Sequence, residues 1–280
     1  MNTTKTVLTA LALCALSTPA SAIEPLATYD AFNGDRVNPD LWIGTNINEF
    51  TLDVVRAVES GDLRLANRSY GDRTVTGGRV NRNLRLRFSN SNAVHTVAGL
   101  FRVNSLELVG CSVGTGTSTQ AEIRIDGYFF NDGTSSGPGD ATGDVWIQIR
   151  LDRSTSSTLP AGQMRVTTNV FHCQDPVCNT GPDLLFDTTS LGTVGIGETV
   201  FLAVIWDADN DRFIFIRNGF APLSYTYTGD VATDANPPGS TFGKLLTNRA
   251  RVENCIPDPG PMSHMDVVIR HVWVNQSAAP

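Results

Sequence analysis

Residues 199 to 220 read TVFLAVIWDADNDRFIFIRNGF, and this stretch decides the fold. An apolar run, Val200 to Trp206, meets a short polar patch, Asp207 to Asp211. A second apolar run, Phe213 to Ile216, closes on Arg217-Asn218-Gly219. Two runs rich in β-branched and aromatic residues, joined by turn formers, predict a β-hairpin. Val200, Leu202, Val204 and Trp206 fall on one face of the first strand, and Phe201, Ala203 and Ile205 on the other. With both faces apolar, the pattern predicts a strand covered on both sides, deep in a sheet stack.

Period-two patterns spread outward from this hairpin. Upstream, Ala121, Ile123 and Ile125 are predicted to face a core, with Glu122, Arg124, Asp126 and Tyr128 facing away. Val145, Ile147, Ile149 and Leu151 alternate with Trp146, Gln148 and Arg150. Met164, Val166 and Val170 alternate with Arg165, Thr167 and Asn169. A long Gly/Ser/Asp-rich loop, Asn131 to Gly143, separates the first two strands and is of the kind that rims a site. Leu52 to Glu59 and Asp62 to Ser69 flank Ser60-Gly61 as another hairpin. In the closing stretch Val267, Ile269, His271 and Trp273 share a face, which predicts a packed core histidine at 271. About a dozen such strands and no helical period predict an all-β fold, a two-sheet antiparallel sandwich closed as a jelly roll. No linker divides residues 23–280, which read as a single domain.

The N-terminus reads differently. Lys5, the apolar run Val7 to Leu16 and the small-residue site Ala20-Ser21-Ala22 form the pattern of a secretory signal peptide, residues 1–22. No later stretch has the ~18 apolar residues of a membrane helix, so a secreted or periplasmic location is expected. Four cysteines follow residue 22, an even count suited to two disulfides. Cys173 and Cys178 flank a turn-forming Asp175-Pro176, which pairs them and leaves Cys111 with Cys255.

Net charge is −7, which excludes general nucleic-acid binding. The charge is uneven: residues 56–87 carry eight arginines. Such a stripe suits an acidic polysaccharide or cell-surface polymer, but the simpler reading is a solvated strand face balanced by the acidic half of the chain.

Three short segments now carry a resemblance. Tyr29 to Gly34, Asn38 to Trp42 and Gly61 to Leu65 resemble the N-terminal pattern of the concanavalin A-like lectin/glucanase superfamily. Ile205-Trp206-Asp207, with its Arg217-Asn218-Gly219 exit, and the strand Met265 to Ile269 look like those of laminin-G-like domains. The chain from residue 23 onward also resembles uncharacterised exported proteins of proteobacteria. The resemblance implies the jelly roll, and it implies a structural calcium near the terminal strands, where Asp30 and Asp266 stand.

The outward residues Glu122, Arg124, Asp126, Tyr128, Trp146, Gln148, Arg150, Arg165 and Asn169 mix aromatic rings with carboxylates, amides and guanidinium groups, as sugar recognition requires. They predict a non-catalytic recognition module for an extracellular glycan or envelope polymer. Two alternatives are a carbohydrate-active enzyme, hydrolase or lyase, and a structural or adhesive envelope protein. Catalysis is disfavoured. Glucanases of the superfamily carry a Glu-x-Asp-x-Glu strand, whereas this chain has Arg124 in the middle position. Glu122 and Asp126 lie four residues apart, about 13 Å along a strand. Polysaccharide lyases of this shape would have His where Arg150 stands. Asp207, Asp209 and Asp211 have the spacing of a calcium loop but lack its glycine at the sixth position, which is Arg212. Calcium is the only cofactor this pattern suggests.

Overall fold

The computed structural model describes residues 23–44, 49–112, 118–179, 182–256 and 260–280. The signal-peptide reading of residues 1–22 lies outside the described residues. The strands are β1 (Leu26–Asp30), β2 (Trp42–Ile43), β3 (Glu49–Phe50), β4 (Val54–Glu59), β5 (Asp62–Tyr70), β6 (Arg79–Phe88), β7 (Thr96–Val109), β8 (Gln120–Asn131) and β9 (Asp144–Ser154). They continue with β10 (Gln163–His172), β11 (Asp183–Thr188), β12 (Thr193–Gly195), β13 (Thr199–Asp207), β14 (Arg212–Arg217), β15 (Leu223–Thr226), β16 (Lys244–Glu253) and β17 (Met262–Asn275).

Two antiparallel sheets stack face to face as a jelly-roll sandwich. The first runs β15-β14-β13-β7-β17-β5-β4-β3, with β1 added to β17. The second runs β11-β10-β9-β8-β16-β6-β2, with β12 added to β10. The joins β13-β7, β7-β17, β17-β5, β8-β16 and β16-β6 pair strands distant in sequence, so non-local hydrophobic burial, not local propensity, holds the order there. The core lies between the sheets. Ile123, Ile147, Ile149, Leu151 and Val166 from the second meet Val200, Leu202, Phe213, Phe215, Leu65 and Val267 from the first, all 1% exposed or less.

Two buried asparagines bridge the layers. Asn248 on β16 donates to the carbonyls of Leu65 (2.8 Å) and Met265 (3.0 Å) in the facing sheet. Asn67 on β5 returns a bond to the carbonyl of Asn248 (3.1 Å). A charged side chain also faces inward. Lys244 shares the inner face of β16 with Leu246 and is 1% exposed, its ammonium 4.8 Å from the Phe129 ring centroid. Burial pulls its amine down to about 7, and Asp144 opposes this only in part.

The hairpin that decided the fold forms as β13 and β14, paired Leu202 with Arg217 through Asp207 with Arg212. Val200, Leu202 and Val204 enter the core. The opposite face is covered in part: Ala203 (1% exposed) and Ile205 (9%) are buried, while Phe201 is half-buried and meets Trp273 of the same sheet (6.0 Å). His271 is a correction. The register of β17 on β7 shifts between Ile269 and Val272, and this bulge moves the inward phase to Val272 and Val274. His271 and Trp273 are turned outward and stack on each other at 4.8 Å.

Both disulfides are present. Cys173–Cys178 closes a turn after β10, and Cys111–Cys255 ties the end of β7 to the end of β16 across 144 residues.

Candidate functional site

One residue in two on β8, β9, β10 and β16 lies on the outer face of the second sheet, and cross-strand register sorts these residues into rows. One row runs Arg85, Thr247, Arg124, Arg150, Thr167 across β6, β16, β8, β9 and β10. Beside it run Asn83, Arg249, Glu122, Asp152 and Arg165. On its other side lie Arg87, Leu245, Asp126, Gln148 and Asn169, followed by an aromatic row of Tyr128, Trp146 and Phe171. All nine residues named from the sequence therefore share this face. Trp146 is the centre of the aromatic row, 6.1 Å from Tyr128 and 5.0 Å from Phe171.

Arg124 organises the middle of the face. Its Nη1 lies 3.0 Å from Glu122 Oε1, its Nη2 lies 3.0 Å from Asp126 Oδ2, and its guanidinium carbon is 5.4 Å from the Trp146 ring centroid. Two carboxylate oxygens that share one guanidinium fork, whose nitrogens are fixed in a plane, are held within about 8 Å of each other. The side chains thus lean together, and the 13 Å inferred from strand rise overstates the distance between their reactive atoms. Arg249 adds a contact to Glu122 at 3.3 Å and Arg150 one at 3.7 Å. Thr247 donates to Asp126 (2.9 Å), and Thr167 donates to Asp152 (2.6 Å).

These surroundings separate the two acids. Burial would raise the Glu122 carboxyl, but Arg124, Arg150, Arg249 and Arg251 outweigh it and bring it down to about 2. For Asp126 burial wins. Arg124 and Thr247 offset it only in part, Glu122 adds repulsion, and the carboxyl is raised. Opposite shifts in neighbouring carboxyls are how acid and base roles are assigned within one site.

The metal reading gains no donor set. Asp207 is occupied by Asn210 (2.8 Å) and Arg212 (2.8 Å), and Asp211 accepts from Thr228 (3.2 Å). Asp30 accepts from Trp42 Nε1 (2.7 Å), while Asp266 pairs with Arg64 (2.9 Å). Among the described residues no three acidic, histidine or cysteine side chains converge as a cation would need. The Asp207, Asp209 and Asp211 spacing is that of a structural turn, in which Asp211 adopts the left-handed backbone conformation (φ 49°).

The face also holds residues that sequence reasoning did not assign to it. Thr247, Arg249 and Arg251 come from β16, whose alternation over Leu246, Asn248, Ala250 and Val252 was the available signal. Asp152 and Phe171 continue patterns that were read one residue too short.

No protein-family model matches the sequence, and no curated protein matches it. Solved structures of similar shape exist. The catalytic domain of an endo-1,3-β-glucanase (laminarinase) from Thermotoga petrophila aligns with a TM-score of 0.49 at 10% identity, over 91% of this chain and 100% of that one. A laminarinase catalytic domain from Thermotoga maritima aligns at 0.46 and 12% identity, over 90% and 98%. A laminarinase from a Flavobacterium species aligns at 0.42 and 13% identity, over 91% and 100%.

The expectation of a non-catalytic recognition module is corrected. The residues on which it relied are not an open sugar-binding surface, since Glu122, Arg124, Asp126, Gln148 and Asn169 are each 3% exposed or less. Arg124 ties Glu122, Asp126 and Gln148 together by ion pairs and a hydrogen bond. The three solved structures are described as laminarinases.

Proposed function

We propose that this chain is a secreted or periplasmic glycoside hydrolase acting on a polysaccharide, with Glu122 and Asp126 as its carboxyl pair. The observation that carries this reading is the Arg124 bridge between two carboxyls whose pKa values move apart. A cap of about 8 Å is compatible with both glycosidase separations, 5–5.5 Å for retention and 6.5–9.5 Å for inversion. Asp126, the carboxyl that burial raises, is the acid of the pair and donates its proton to the leaving glycosidic oxygen as the bond to the anomeric carbon breaks. Glu122, held anionic, attacks that carbon or takes a proton from the water that does. Water supplies the hydroxyl of the new reducing end, and its other proton restores the acid. Arg124 lies between the two carboxyls, so the glycosidic oxygen enters only when this side chain swings out. The signal-peptide pattern, the two disulfides and the lack of any described helix apolar enough to cross a membrane support the exported location.

Reducing-end release from a panel of polysaccharides tests the reading. Turnover is expected from the native chain and is lost in Glu122→Gln and Asp126→Asn. A panel with no turnover, or turnover unchanged in both variants, refutes it. The position of Arg124 favours a second reading, a structural or adhesive envelope protein in which the same ion pairs only tie strands together. That reading is supported by self-association on size exclusion with no turnover from the native chain or from Arg124→Ala.

A further inference from the structure

The eight arginines of residues 56–87 are not evenly solvated. Four of them, Arg56, Arg82, Arg85 and Arg87, line one groove of about 670 Å³ beside β4 and β6, where Glu49 is the acid of the lining. The groove therefore has an excess of three positive charges on a chain of net charge −7. Arg56 is built into its floor, 5% exposed, with Nη1 donating to the backbone carbonyl of Arg85 and Nη2 3.7 Å from Glu49. Arg85 is placed differently. It makes no ion pair among the described residues, and its Nε is buried without a hydrogen-bond partner. Burial pushes its guanidinium below the usual value, offset only in part by Asp126. It lies 5.2 Å from the ring centroid of Phe242, a side chain that is 49% exposed.

This is the chemistry of an anionic sugar. Planar guanidinium forks match the oxygens of carboxylate and sulfate, and an exposed aromatic ring accepts the apolar face of a pyranose. The groove also lies beside the carboxyl face. Arg85 and Arg87 share rows with Arg124 and Asp126, two strands and about 10 Å away. We propose that the groove is an anion subsite of that face and that the polysaccharide it receives is acidic, bearing carboxylate or sulfate groups that Arg85 and Arg87 hold while a sugar ring stacks on Phe242. The proposal rests on the hydrolase reading only in taking the groove and the carboxyl pair as one binding face.

Isothermal titration at low salt tests it, with polygalacturonate and dextran sulfate as acidic probes and dextran as the neutral one. The native chain and Asp126→Asn are both used, so that cleavage does not blur binding. The expected result is at least tenfold tighter binding of one acidic probe than of dextran, falling at least fivefold in Arg85→Gln and in Phe242→Ala. The Phe242 ring is exposed, so its variant keeps the test standing if Arg85→Gln does not fold. Equal affinity for dextran, undiminished binding in both variants, or equally tight binding of poly(dT) or of phosphatidylserine vesicles overturns the proposal. Acidic binding without turnover leaves the groove intact and counts against the hydrolase reading. Turnover of a neutral glucan without acidic binding does the reverse.

Discussion

Replacing Lys244 with methionine should stabilise this protein at neutral pH. The amine is 1% exposed over the Phe129 ring and its pKa is down to about 7, against 10.5 for the free side chain. The unfolded chain therefore binds a proton at Lys244 that the folded chain holds weakly. The sign follows from linkage: stability rises with pH where the unfolded state carries more protons, which is the window from about 7 to 10.5. Below that window the cost of ionising the buried amine is fully present, about 4 kcal/mol at pH 7. Above it the cost is gone. Methionine has similar length, no charge, and a sulfur that packs well against an aromatic ring. Urea unfolding of both proteins at pH 6, 7, 8, 9 and 10 measures the effect. Asp144 and His95 are coupled to the Lys244 charge, so the Lys244 signature is read between pH 8 and 10, above the ordinary range of both. Lys244→Met is expected to be more stable by about 2–4 kcal/mol at pH 6 and 7, with the gap closing by pH 10. Parallel curves, or a less stable variant at pH 6, refute the reasoning.

Three further outcomes are expected. Glu122 has a folded pKa of about 2 against 4.5, so it contributes stability above pH 4.5 that is lost as pH falls through 2. Glu122→Gln should flatten acid unfolding over that interval, and a curve as steep as that of the native chain contradicts the pairing. Asn248→Leu removes the donors to two buried carbonyls and should cost about 2–3 kcal/mol in urea unfolding at pH 7, with a loss below 1 showing that the cross-sheet bonds are dispensable. Breaking Cys111–Cys255 by double alanine substitution should cost about 5 kcal/mol, and breaking Cys173–Cys178 about 2, because the loops they close differ in length. Equal losses in thermal or urea unfolding count against that loop-entropy account.

Much of the fold was legible because alternation survives wherever a strand has one dry face. The partition of β8 and β9 into inward and outward residues is observed as read. Two kinds of information were not local. The outward residues of β8 sink from solvent because long arginines arrive from β16 and β9, more than a hundred and about twenty-five residues away along the chain. No pattern within Glu122 to Tyr128 announces those neighbours, and so the face looked open. The bulge in β17 is the other case. An irregularity at residues 270 and 271 flips the phase, and a strict period of two then assigns His271 to the wrong side. Lys244 shows the same limit from inside: a lone lysine at a strand start reads as surface, and its burial follows from Phe129 and Leu246 in three dimensions.

The two disulfides differ in when they can form. Cys173 and Cys178 are five residues apart, and the Asp175 carboxylate already organises the turn by accepting from Val177 N at 2.9 Å. They can join as soon as β10 has been made. Cys111 must wait as a free thiol until residue 255 has followed it out. During that interval Cys173 and Cys178 are its only competitors among the cysteines after residue 22. Early closure of the small loop removes both of them at once. Of the three pairings that four cysteines permit, one is then left, so the short bridge protects the fidelity of the long one.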